Sequence, residues 1–145
     1  MAEFAIVFPV LMLVIGGIIQ FGLIFWGQNT LNQVVRDTGR WAATLQSCAG
    51  SEAAVIATAN QIAAQSALIG YTANEFNGTN TIVTWPPTDG PDAGTAPDPC
   101  PPTSNQELGW IDIKISHRVP VFFPFVPGNG DISSSTEFRL EPKPK

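Results

Sequence analysis

The sequence predicts an α+β fold: a long N-terminal hydrophobic helix running as a stalk into a small head with a second helix and an antiparallel sheet of about three strands. Three observations predict it. Residues 4–27 form an almost unbroken apolar run, interrupted only by Pro9, a few glycines and the uncharged Gln20. The remainder is polar and punctuated by proline and glycine. Two late segments alternate apolar and polar residues with the period of a strand.

The apolar run holds about 24 residues, which at 1.5 Å rise gives a helix of about 36 Å, enough to cross a bilayer with some tilt. A signal peptide fits poorly, because the run is too long for an h-region, no basic n-region precedes it, and no small-x-small site follows it. Pro9 removes a backbone donor and should kink the helix. Gly16, Gly17 and Gly22 leave flat patches where another helix could pack closely. The helix is expected to continue through residues 28–46, where Leu31, Val34, Val35, Thr38, Trp41, Ala42 and Leu45 recur at three- and four-residue steps. Asn32, Gln33, Arg36, Asp37 and Arg40 fall mainly on the other sides. The domain division is therefore 1–27 as a membrane or filament-core helix and 28–145 as the head.

A second helix is expected over 51–70, with Ser51 as N-cap, Glu52 placed well against the helix dipole and Gly70 as the stop. Its small, alanine-rich face should lie tight against a neighbour. Asn77-Gly78 signals a turn before a short strand at 81–85. Residues 86–103 have the proline, glycine and aspartate content of an exposed loop. Residues 110–119 alternate, with Ile111, Ile113, Ile115 and Val119 on one face and Asp112, Lys114 and Ser116 on the other. The last strand, 132–141, places Ile132, Ser134, Thr136, Phe138 and Leu140 together.

The formal charge of −5 and the scattered lysines and arginines oppose nucleic-acid binding. The two cysteines, Cys48 and Cys100, are most simply a disulfide in an extracytoplasmic head, closing about 52 residues and worth up to about 4 kcal/mol; two free thiols are the alternative. Neither looks catalytic, since no histidine is near in sequence and Cys100 sits between prolines. The single histidine, His117, shares a face with the isoleucines and is expected to be structural, at the sheet edge. No catalytic motif, metal site or cofactor signature occurs. Asp89, Asp92 and Asp98 match no calcium loop and read as solvated. Asn77-Gly78-Thr79 fits the N-glycosylation pattern, but a turn accounts for it. Glu3 heads an otherwise charge-free helix. It sits either in the membrane interface or, in a helix bundle, against a positively charged N-terminus of a neighbouring subunit.

The run Ala2-Glu3-Phe4-Ala5-Ile6-Val7-Phe8-Pro9, followed by Gly16, Phe21-Gly22 and Arg36-Asp37-x-Gly39-Arg40-Trp41-Ala42, resembles the TadE-like family, pseudopilins (minor pilins) of the tight-adherence (Flp) type IV pilus. Ser133-Ser134-Ser135 and a final strand ending Arg139-x-Glu141 resemble that family's C-terminal region. The resemblance implies a non-enzymatic subunit without a cofactor, held in the inner membrane with its head outside the cytoplasm and later packed into a pilus. Implied partners are other pilin subunits, the inner-membrane assembly platform and a prepilin peptidase. Glu3, Phe4 and Pro9 would then set assembly and register. The implied orientation opposes what Arg36 and Arg40 would give by the positive-inside rule, but both lie well past the span. Family members are made with a basic leader ending in glycine; with Met1 two residues before Glu3, a processed chain or an upstream start is expected. A main filament subunit and a membrane-anchored adhesin, using Trp85, Trp110 or the proline-rich loop, are the alternatives.

Overall fold

Helical propensity and apolarity carry the first helix without a break through Pro9. In a computed structural model, which describes residues 2–44, 51–84, 110–123 and 130–139, α1 is Ala2–Ala43 and α2 is Ser51–Gln65. The strands are β1 (Thr81–Thr84), β2 (Trp110–Arg118) and β3 (Asp131–Arg139). The layout is the α+β one expected. At 42 residues, α1 is about 63 Å long. Arg40 closes its last turn, where a cation suits the helix dipole.

The buried stripe of α1 includes Leu31, Val34, Val35, Thr38 and Ala42, as the three- and four-residue steps predict. Trp41 departs from it, at 37% exposure. The stripe also runs further towards the N-terminus than expected. Gly16, Gln20, Gly27 and Thr30 are buried beneath the head. Head packing thus begins at Gly16, inside the apolar run.

The sheet order is β1-β2-β3, with both pairs antiparallel. Ile111, Ile113 and Ile115 of β2 and the following Val119 turn one face towards the helices and are fully buried. They meet Leu31, Val34 and Val35 of α1 and Val55, Ala59 and Ala63 of α2 in one core. Each large aliphatic side chain removed from water there stabilises the fold by about 1.5–3 kcal/mol.

Two glycines measure how the sheet lies on α1. Ile132 faces Gly27, and the ring of Phe138 occupies the place a side chain at Gly39 would take. Twelve helical residues rise about 18 Å and six strand residues about 20 Å, so β3 climbs along the helix axis with little divergence. β2 descends beside it. Val119 N–H donates to Gly130 C=O at 2.8 Å and closes the base of the β2–β3 connection. Gly130 has φ of 70°, and a side chain on it would meet the Val119 carbonyl, so glycine is required there.

Element ends differ modestly from expectation. α2 stops at Gln65 rather than 70, because Ser66 turns its hydroxyl back onto the Ala63 carbonyl at 2.9 Å and the chain then bends through Leu68–Tyr71. β3 begins one residue earlier than predicted, and Leu140 and Glu141 lie outside the described residues.

Candidate functional site

The most prominent chemical feature is an uncovered apolar rod. Within α1 an 18-residue window reaches a mean hydropathy of 2.4, and only 11% of it is buried. That low cover separates it from the core helix of a soluble domain. Phe4 and Ile6 are 72% exposed, and apolar exposure continues through Leu13, Ile18 and Phe25 to Trp26. A surface of this extent needs lipid or other protein around it. The helix is long and apolar enough to anchor the chain in a membrane.

The residues singled out from sequence fall on this rod in different ways. Phe4 and Phe8 stack one turn apart with ring centroids 5.8 Å apart. Pro9 lies inside the helix and has no N–H for the carbonyl one turn back. Gly17 and Gly22 face open space, with no atom within 4 Å of a side chain built there. Five residues apart, they point about 140° apart around the helix and do not form one patch. Gly16 differs: its flat surface is filled by the chain's own Phe123, whose Cδ1 would lie 2.8 Å from a Cβ. It therefore seats the head. The Glu3 side chain, Cys48, Cys100, Trp85 and the loop acids Asp89, Asp92 and Asp98 lie outside the described residues.

Gln20 is the functional residue the sequence reading passed over. Its side-chain Nε2 donates to Pro120 C=O at 3.3 Å, and its Oε1 accepts from Phe122 N–H at 3.0 Å. The amide thus acts as a short stretch of backbone against residues 120–122, and it is 1% exposed. Its signal was present: it is the only strongly polar side chain inside the run of 4–27. Higher up, Gln28 Nε2 donates to Ser133 C=O at 2.9 Å and ties β3 to the helix.

His117 is buried at 4% exposure near the end of β2, which is the central strand. It is structural, but the sheet-edge placement is corrected: β3 covers one side, and the segment before β1 covers the ring. Nδ1 lies 2.7 Å from Glu75 Oε1 and Nε2 lies 2.9 Å from Ile69 C=O. Both ring nitrogens therefore face oxygens. Glu75 also accepts from Thr72 N–H through Oε2 at 3.1 Å. With both nitrogens engaged, the ring has no free position for proton transfer. A cleft of about 410 Å³ opens beside it, bordered by Arg118 and Asp131, an exposed pair 3.7 Å apart. Among the described residues no three His, Cys, Asp or Glu side chains gather to hold a metal.

Residues 1–40 match the family model described as TadE-like protein. This bears out the resemblance read from the Glu3-Phe4 and Arg36-Asp37 motifs, and it does not extend to the C-terminal strand. No curated protein and no solved structure matches the chain.

Proposed function

We propose that this chain is a non-enzymatic minor pilin of a tight-adherence type IV pilus, anchored by α1 in the inner membrane with its head outside the cytoplasm. The observation that carries the reading is the coincidence of the TadE-like match with the uncovered rod: the match covers residues 1–40 and the exposed apolar side chains run from Phe4 to Trp26. An apolar helix satisfied by lipid can be satisfied equally by sister helices, so one surface serves the membrane-held precursor and the assembled fibre. Gly17 and Gly22 are the points of closest approach for neighbours, and Phe4 and Pro9 shape the leading turns. Glu3 selects axial register by meeting an amino group of an adjacent subunit, since a misaligned carboxylate would be buried without a partner. The assembly platform and the prepilin peptidase are the membrane partners, and Cys48 and Cys100 form a disulfide in the head.

Shearing surface fibres from cells and probing them for this chain tests the reading. The chain is expected in the fibre fraction, and Glu3→Leu is expected to leave membrane insertion intact while removing it from fibres. Retention of the unaltered chain solely in the membrane would indicate an anchored binding module instead.

A further inference from the structure

We propose that the segment leading out of β2, residues 119–123, is a second membrane-embedded element whose Val121 and Phe122 side chains enter the hydrocarbon of the leaflet from which the head emerges. The proposal rests on the membrane-anchored reading of α1. Val119 packs on Gly27, Pro120 and Phe122 are bound by Gln20, and Phe123 packs on Gly16. The segment therefore descends the helix by eleven residues, about 16 Å, towards the N-terminus.

The length of α1 makes this descent consequential. The part of α1 before its first buried residue, Gly16, spans about 21 Å over residues 2–15, short of the roughly 30 Å hydrocarbon core. Phe4 to Trp26 spans about 34 Å and fits it. Ile18 and Phe25 are each 68% exposed, so the helix surface remains apolar well above Gly16. If those side chains are in lipid, residues 120–123 beside them are at the same depth. Their own character agrees: Phe122 is 62% exposed and Val121 38%.

Irregular backbone at that depth needs internal partners. Pro120 has no N–H, and Gln20 takes both the Pro120 carbonyl and the Phe122 amide. The same contacts satisfy Gln20, which would otherwise be a bare amide in hydrocarbon. The Val121 and Phe123 amides have no partner among the described residues, a cost that rises with depth. A lipid occupant is favoured over another protein because Val121 and Phe122 are exposed apolar side chains on a segment held against α1 between Gly27 and Gly16, within the exposed apolar stretch from Phe4 to Trp26.

The test replaces Phe122, Phe25 or Ile82 in turn by the photo-crosslinker benzoylphenylalanine in the full chain, reconstituted in phosphatidylcholine–phosphatidylglycerol vesicles. Ile82 is 51% exposed on β1, paired with Lys114 and so well up the head. Lipid adducts read by mass spectrometry are expected at positions 122 and 25 and not at 82. An adduct at 25 without one at 122 overturns the embedded segment and leaves the anchor standing. No adduct at 25 overturns the anchor itself. Crosslinking of position 122 to a second copy of the chain, in place of lipid, overturns the lipid assignment.

Discussion

Gly39 is a point of close contact between helix and sheet. The Phe138 ring lies where its side chain would be, so Gly39→Ala forces the ring or the strand to move. The expected cost is about 1–3 kcal/mol, measured as the shift of a urea unfolding midpoint in detergent. Adding Phe138→Leu should recover part of that loss, because the two positions share one volume. The R-D-x-G-R motif displayed this glycine plainly, but its partner lies 99 residues away and no local pattern points to Phe138. Gln20 was visible for its polarity and not for its role. A side chain that satisfies distant backbone has no spacing rule, since its partners at 120 and 122 are set by the fold. His117 was placed correctly on the apolar face by alternation; its bond to Glu75 depends on how the turn at residues 72–75 folds back.

The elements themselves were largely legible where one face is wet and the other dry. Period-two alternation gave β2 and β3 with their buried sets, and the steps from Leu31 to Ala42 gave the upper stripe of α1. In residues 4–27 almost every side chain is apolar, so no face stands out from the pattern. The continuation of the stripe to Gly16 is consequently invisible without the head. α2 adds a second amide clamp of the kind Gln20 makes. Asn60 Nδ2 donates to Phe76 C=O at 2.8 Å, and Asn60 Oδ1 accepts from Phe76 N–H at 3.0 Å and from the Tyr71 hydroxyl at 2.8 Å. This holds Phe76 in the core at 2% exposure. Asn60→Leu leaves the Phe76 groups buried and unpaired, and we expect it to cost about 2–4 kcal/mol by the same unfolding measurement. Thr58→Ala, on the same helix, removes only a hydroxyl that bonds its own preceding turn at 2.9 Å and is expected to change stability by less than about 1 kcal/mol.

At the scale of the molecule, the head and the upper rod are one folding unit. Gly16, Gln20 and Gly27 supply seats for residues 119–123 and 132, whereas the described side chains from Phe4 to Ile15 are all exposed. Removing 2–15 is therefore expected to leave the thermal midpoint of the detergent-solubilised chain nearly unchanged. Removing 2–30 takes away those seats as well and should lower the midpoint by about 5 °C or more, since each loss of about 1 kcal/mol shifts a chain of this size by about 4 °C and several such contacts are lost. Differential scanning calorimetry of the two shortened chains checks the contrast.

The fixing of the sheet along α1, from Gly27 to Gly39, also removes a swivel. A head joined through a loose tether could turn independently of its shaft, but here any rotation of the shaft about its long axis is carried rigidly outward. The compass bearing of β3 around the shaft is therefore the bearing of the Gly27 and Gly39 side of α1. Wherever neighbours clasp the free flank of that shaft, they also decide which way the head looks.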